Sequence, residues 1–81
     1  MQIHVLAFAR LRELLGRPER TLDLAAGASA GDAWSVLVRE CPALASERAS
    51  TRVARNGILA PFDQPLDDGD EIALLPPVGG G

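Results

Sequence analysis

The fold is decided by the sequence EIALLPPVGGG, residues 71–81. Of its first five residues, the last four are apolar, and the five predict a strand at residues 71–75. The two prolines that follow fix φ and remove N–H donors, which stiffens the exit from this strand. The three glycines have no Cβ and can enter a channel too narrow for a side chain, and six extended residues reach at most about 20 Å. We therefore predict a domain at residues 1–75 that presents residues 76–81 to another protein.

The composition is typical of one small domain. A chain of 81 residues buries about 60–65% of its extended surface on folding. With 47% hydrophobic and 23% charged residues, it resembles ordinary soluble globular domains. No apolar run approaches the ~20 residues that span a bilayer, and the sequence does not begin with a basic region followed by an apolar stretch. We therefore expect a cytoplasmic protein without membrane contact.

Charge and residue usage exclude further classes. A net charge of −3 and a pI of about 4.9 are the reverse of a nucleic-acid-binding surface, so no nucleic-acid partner is expected. Cys41 is the only cysteine and His4 the only histidine, so neither a disulfide framework nor a metal site is predicted. All 8 basic residues are arginine. Because the chain has no lysine, an activated terminal carboxylate would meet no ε-amine within it.

Hydrophobic periodicity and turn residues divide the rest of the chain into short elements. Further strands are predicted at residues 2–9, 20–24, 52–55 and 58–60, a short helix at residues 10–15, and a longer helix that begins at Ser29 and is ended by Pro42. Ser29 and Asp32 match a capping box. Asn56-Gly57, between two of the strands, is a strong hairpin signal. Residues 43–50 fit either a loop or a frayed turn.

The apolar positions predict how these elements pack. Trp34, Val38 and Cys41 recur at helical spacing and, with Ala33 and Leu37 beside them, form a broad apolar stripe that would pack on a sheet. In the first strand, Leu6 and Phe8 lie on one face and the apolar residues that alternate with them lie on the other. We therefore expect both faces of this strand to be covered. The first and last strands are the most apolar, which places them side by side in the centre as a parallel pair. This is an α+β fold of the β-grasp, or ubiquitin-like, type: a mixed sheet packed by one main helix, with a short helix after the first strand.

Side chains suited to catalysis or metal binding are scarce. His4 lies within a predicted strand, next to no obvious nucleophile, and is expected to be structural or at the surface. Cys41 is expected to be a small core residue rather than a nucleophile. A cluster of acidic residues lacks the spacing of a calcium-binding loop and is expected to be a solvated turn, with a docking face for a basic partner as the alternative. It comprises Asp63, Asp67, Asp68, Asp70 and Glu71.

Two segments resemble one known family. The sequence FARLRELLG at residues 8–16 resembles the first-strand-to-helix motif of the small subunit of molybdopterin synthase. The sequence LDDGDEIALLPPVGGG at residues 66–81 is similar to the C-terminus of that family. The Asn56-Gly57 turn lies where the family also turns. The resemblance is strong at both ends and weak across residues 18–50, and Gly79 stands where the family often has serine, threonine or alanine.

This resemblance implies a sulfur carrier with no catalytic side chain and no bound cofactor. An adenylating enzyme related to ubiquitin activators would use ATP to convert the carboxylate of Gly81 to an acyl-adenylate. Sulfur from a persulfide donor protein would then replace AMP and leave a thiocarboxylate. In the large synthase subunit, this sulfur would pass to cyclic pyranopterin phosphate to build molybdopterin. The family pattern is a heterotetramer of two carriers on a large-subunit dimer.

The resemblance also assigns residues to these steps. The inserted tail ahead of Gly81 would consist of Pro76, Pro77, Val78, Gly79 and Gly80. Phe8, Leu59 and Leu75 would form an exposed apolar patch that grips both partners in turn, and ordinary core positions are the alternative for these three. Arg12 would pair with a carboxylate, or it is an exposed arginine without a role.

The residues alone are also compatible with other functions. The same carrier chemistry serves thiamine, cysteine or tRNA thiolation, although the helix motif at residues 8–16 argues against the shorter thiamine carriers. A protein modifier that joins its C-terminus to lysines of target proteins is also compatible with the tail. A plain interaction domain with an incidental tail is the last alternative.

Overall fold

A computed structural model describes residues 1–77. These form five strands, two α-helices and one 3₁₀ helix: β1 (Gln2–Ala7), α1 (Ala9–Leu15), β2 (Glu19–Asp23), α2 (Ala30–Glu40), the 3₁₀ helix (Pro42–Ser50), β3 (Arg52–Arg55), β4 (Ile58–Ala60) and β5 (Glu71–Leu75). The strands form one sheet in the order β2-β1-β5-β3-β4. β1 and β5 are parallel, and the other neighbouring pairs are antiparallel.

The central position of β1 and β5 confirms the main prediction from the sequence. Val5 is paired with Ile72 and Ala7 with Leu74, and all four are almost completely buried. Because side chains alternate along a strand, these residues share the face that packs against the helices. β5 therefore lies between β1 and β3, and its carboxyl end continues into the prolines from the middle of the sheet.

The turn from β1 into α1 differs slightly from the prediction. Residues 2–9 were expected to be extended, but β1 ends at Ala7 and α1 begins at Ala9, which has a φ of 51°. This left-handed conformation turns the chain sharply after the extended residue Phe8. Gly16 ends α1 as predicted, with a φ of 79° and its N–H donating to the Arg12 carbonyl at 2.9 Å.

Helix α2 begins with the predicted capping box. The Ser29 hydroxyl accepts from the Asp32 N–H at 3.2 Å, and the Asp32 carboxylate accepts from the Ser29 N–H at 2.8 Å. The predicted stripe is confirmed for Ala33, Trp34 and Leu37, whereas Val38 and Cys41 are only half-buried. The fully buried residues of α2 are Ala30, Ala33, Trp34 and Leu37.

Two other boundaries were less accurate. The second strand occupies Glu19–Asp23 rather than residues 20–24, and Leu24 instead donates its N–H to the Met1 carbonyl at 2.8 Å. The segment at residues 43–50, for which the sequence left a loop or a frayed turn open, belongs to the 3₁₀ helix. This helix is fixed by Leu44, which has no exposed surface and packs in the core.

The hydrophobic core lies between the sheet and the helical layer. Ile3, Leu37 and Leu44 come from β1, α2 and the 3₁₀ helix and are completely buried in it. Among residues 1–77, no helix is long and apolar enough to cross a membrane. The architecture is the predicted α+β β-grasp sheet with one main helix.

Candidate functional site: the open face of the sheet and the exit of the tail

The face of the sheet opposite the helices carries a continuous apolar row. Leu6 of β1 is paired with Ala73 of β5, Ala73 with Ala54 of β3, and Ala54 with Leu59 of β4. Residues paired in register share a face, so this row crosses four strands. We call this surface the open face, and it comprises Leu6, Phe8, Ala54, Leu59, Ala73 and Leu75.

The three residues predicted as a partner-binding patch lie on this face. Phe8 continues the alternation of β1 beyond Ala7 in an extended conformation, and Leu75 continues that of β5. Phe8 is 44% exposed and Leu59 is 60% exposed, while Leu75 is half-buried. For Phe8 and Leu59, the alternative of ordinary core positions is therefore wrong.

The expectation that both faces of β1 are covered is also wrong within the described part of the chain. Burial in β1 alternates, with Ile3, Val5 and Ala7 buried and Leu6 only half-buried. The prediction of the patch from sequence did not name Leu6, Ala54 and Ala73, which share the open face with it, although Ala54 is only 7% exposed. Strand register would have revealed them, because each is paired directly with another residue of the row.

The end of β5 lies against the helical layer. Pro76 is half-buried and Pro77 is exposed, and both line a groove with Arg10 of α1 and Glu47 of the 3₁₀ helix. The Arg10 Nε donates to the Glu47 carboxylate and so joins the two helices beside the prolines. Prolines held against a fixed surface give the chain a defined direction as it leaves the sheet.

The remainder of the predicted tail, Val78, Gly79, Gly80 and Gly81, lies outside the described residues. Its insertion into a partner and the chemistry at Gly81 therefore stay predictions. Arg12 lies on α1 and is exposed, and no ion pair joins it to another of residues 1–77. Its position leaves it accessible to a carboxylate of another protein.

The predicted solvated acidic turn contains one buried carboxylate. Asp70 is only 7% exposed and accepts hydrogen bonds from the Arg55 Nε, the Asn56 amide and the Asp67 N–H, at 2.7, 2.9 and 2.8 Å. The backbone N–H of Asp67, followed by the Asn56 amide, lowers the pKa of Asp70. Asp70 thus ties the turn before β5 to the β3–β4 hairpin, and the expectation of a purely solvated turn is wrong for it.

Neither His4 nor Cys41 is placed in a catalytic arrangement with the described residues. His4 is half-buried on β1, with its Nε2 3.9 Å from a Glu19 carboxylate oxygen. The Cys41 thiol donates to the Leu14 carbonyl at 3.2 Å and is half-buried against the core. Among residues 1–77, no group of three or more His, Cys, Asp or Glu is close enough together to hold a metal ion.

The geometry defines a class of protein. Ubiquitin-like β-grasp proteins are characterised by a mixed sheet with a central parallel pair and a main helix on one face. They also have an apolar open face and a C-terminal extension from the central strand. The model of the ThiS family matches residues 5–81, and the chain belongs to this family.

Similar proteins cover the whole chain. The molybdopterin synthase sulfur carrier subunit of Chlamydomonas reinhardtii is 41% identical over 83 residues and 100% of both chains. Small archaeal modifier protein 1 of Haloferax volcanii is 38% identical over 91% of this chain and 94% of its own, and a crystal structure of it has a TM-score of 0.85 over 100% of both chains. In a protein–protein complex of subunits 1 and 2 of molybdopterin-converting factor from Helicobacter pylori, the matching chain has a TM-score of 0.71 and 26% identity, with 100% of both chains covered.

Proposed function

We propose that this protein is the sulfur-carrier subunit of a molybdopterin synthase. The observation that carries the proposal is the combination of an open apolar face with a Gly-Gly tail that follows the central strand β5. A carrier needs this combination because the face holds the partner while the tail reaches its active site. The similarity over the full chain to a molybdopterin synthase sulfur carrier subunit supports the same function.

The chemistry takes place at the carboxylate of Gly81. A carboxylate is a poor electrophile, so a partner enzyme first transfers AMP from ATP to it and releases pyrophosphate. A persulfide sulfur then attacks the acyl carbon and AMP leaves. A donor thiol cleaves the resulting S–S bond, which forms a disulfide and leaves the thiocarboxylate on Gly81. The carrier itself binds no cofactor, since the adenylating partner uses the ATP.

Sulfur transfer requires that the tail enters the large subunit of the synthase. There the thiocarboxylate donates its sulfur to cyclic pyranopterin phosphate. Gly80 and Gly81 present no Cβ to the walls of a channel, and a closed channel keeps water from the activated group. The Helicobacter pylori complex of subunits 1 and 2 supports a pairing of this kind. We propose a heterotetramer with two carriers, formed in the cytoplasm.

The open face provides the docking surface for both partners. Phe8, Leu59 and Leu75 expose apolar area that a partner would bury, and Arg12 lies on α1, the helix that follows Phe8. Because one face serves the adenylating enzyme and the large subunit, the two complexes exclude each other. The carrier therefore shuttles between its partners.

Mass spectrometry tests this proposal. After incubation with an adenylating partner, ATP and a persulfide donor, we expect one oxygen of Gly81 to be replaced by sulfur. A variant with one alanine added after Gly81 is the control, and it should not be loaded because its methyl group collides with the channel. An unchanged mass of the wild-type protein with a competent partner, or equal loading of both proteins, contradicts the proposal.

A second candidate function is protein modification. It is favoured by the 38% identity to small archaeal modifier protein 1. Its product would be an isopeptide between Gly81 and lysines of other proteins, and the lysine-free chain could not extend into a polymer of itself. Peptide mapping of cell proteins distinguishes the two functions, since only modification leaves the C-terminal glycines on target lysines.

Sulfur transfer to another pathway, such as thiamine, cysteine or tRNA thiolation, is the remaining alternative. It would also form the thiocarboxylate on Gly81, but the carrier would not support molybdopterin synthesis.

A further inference from the structure

We propose that the open face continues into a groove that binds an acidic segment of the large synthase subunit through Arg48 and Arg52. This inference rests on the proposed function, because it adds a second contact to the same docked partner. The groove has a volume of about 440 Å³ and lies between the end of the 3₁₀ helix and strand β4. Its lining includes Leu59, which also belongs to the open face, so the two surfaces are continuous.

Arg52 lies where the tail leaves the sheet. It is exposed at the start of β3 and paired in register with Leu75, the last residue of β5 before the prolines. Arg52 and Leu75 therefore share the open face. A protein that covers this face and also holds the tail must pass close to the Arg52 guanidinium.

Arg48 is oriented by an aromatic pair. Its guanidinium carbon lies 3.3 Å from the ring centroid of Phe62, and this ring meets Trp34 edge to face at 6.1 Å and 85°. A guanidinium stacked on a ring keeps the N–H donors at its edge free for hydrogen bonds. The stacking also limits the side-chain entropy that would be lost when a carboxylate binds.

The charge around the groove selects an acidic ligand. Arg10, Arg20 and Arg55 are paired with carboxylates, whereas Arg48 and Arg52 form no ion pair within residues 1–77. None of the described residues that line the groove has a carboxylate. In a protein with a net charge of −3, this is a local positive surface beside an apolar one. It fits a partner segment that carries Asp or Glu next to apolar residues.

Charge reversal tests the inference. We expect Arg52→Glu to weaken binding of the large subunit about tenfold at low ionic strength and to reduce the dependence of the affinity on salt, because a rim charge acts mainly through electrostatic attraction. The double variant Arg48→Glu/Arg52→Glu should lose more. Arg39→Glu is the matched control. Arg39 is exposed at the end of α2, and its neighbour Glu40 forms an ion pair with a residue of β2. Strand β2 is at the opposite edge of the sheet from the groove. The Arg39→Glu variant should bind within about twofold of wild type.

Two measurements keep the test decisive. Circular dichroism verifies that the variants are folded, and Arg52→Glu alone avoids any effect of losing the Arg48–Phe62 stack. A photo-reactive amino acid in place of Arg52 should cross-link to a large-subunit peptide that contains Asp or Glu. The inference is overturned if the Arg52→Glu and double variants bind with the affinity and salt dependence of the wild type, or if the cross-link forms with a peptide that has no acidic residue. Either result leaves the proposed function intact. Failure of the wild-type protein to bind the large subunit at all overturns both.

Discussion

At the scale of single residues, Asp70 has more influence on the structure than its place in an acidic stretch suggests. Its two carboxylate oxygens accept from Arg55, Asn56 and the Asp67 backbone, and the side chain is 10% exposed. Asn56 in turn accepts from the Glu71 N–H at 2.9 Å. The cluster therefore joins the start of β5 to the hairpin that carries Leu59. A buried carboxylate is tolerated here because donors surround it.

Replacing Asp70 by Asn tests this role. The amide would place donors opposite donors, so we expect the free energy of unfolding at pH 7 to fall by about 1–3 kcal/mol. The control is Asp63→Asn, an exposed carboxylate with no described hydrogen bond, which should change it by less than about 0.5 kcal/mol. Urea denaturation of the three proteins measures both differences. A loss of the same size in both variants would contradict a specific role for Asp70.

The same residue predicts how stability depends on pH. Its pKa in the folded protein is lowered from the ordinary value by its hydrogen bonds. The contribution of Asp70 is therefore fully present above the unfolded pKa of about 3.9 and is lost as the pH falls through the lower folded pKa. We expect the difference between wild type and Asp70→Asn to be constant from about pH 7 to pH 5 and to shrink below about pH 4. A difference that persists at the acid end would show that packing, not charge, is responsible.

At the scale of the elements, the success of the sequence prediction depended on whether the signal was local. The hairpin was predicted correctly because Asn56 and Gly57 both adopt positive φ, 49° and 86°, which these residue types accept readily. The capping box of α2 is likewise a local pattern. The sequence did not decide between a loop and a turn for the segment that forms the 3₁₀ helix. The position of this helix depends on the burial of Leu44, which packs in the core against distant parts of the chain.

The site was predictable to a similar extent. Phe8, Leu59 and Leu75 were assigned through a family resemblance, and strand register explains why they lie together with Leu6 and Ala73. That register depends on the pairing of β1 with β5, which are far apart in the sequence. The groove at Arg48 and Arg52 has no local sequence signal at all. It exists only because the 3₁₀ helix and β4 meet around Phe62.

Strand β4 offers a matched test of the open face. Leu59 and Ile58 are neighbours on this edge strand and are 60% and 73% exposed, but they belong to opposite faces. We expect Leu59→Asp to weaken binding of the large subunit at least about tenfold, because it places a charge in a buried apolar contact. Ile58→Asp should bind within about twofold of wild type. Calorimetric titration measures both affinities, and an equal loss in the two variants would contradict docking through the open face.

At the scale of the whole molecule, the proposed function assigns docking to the open face and reaction to the tail. The core lies between the helices and the inner face of the sheet, and the two prolines that follow β5 are not among its buried residues. Pro76 and Pro77 contact the helical layer beside the Arg10–Glu47 ion pair, so they belong partly to the folded unit. The predicted division at residue 75 can therefore be tested by truncation.

Removal of residues 78–81 should leave the fold unchanged and abolish sulfur loading. The sheet and the helices already enclose a hydrophobic core built from residues 1–77, so we expect the free energy of unfolding to stay within about 0.5 kcal/mol of wild type. Removal of residues 76–81 should cost somewhat more, because the half-buried Pro76 is lost from its groove. Both truncated proteins should fail to acquire sulfur, and the shorter truncation should still compete with the full chain for the large subunit through the open face. Urea denaturation, mass spectrometry and competition binding measure these outcomes. If the truncated chain unfolds in conditions where the full chain is stable, the tail is part of the fold and the division between docking domain and reactive segment is wrong.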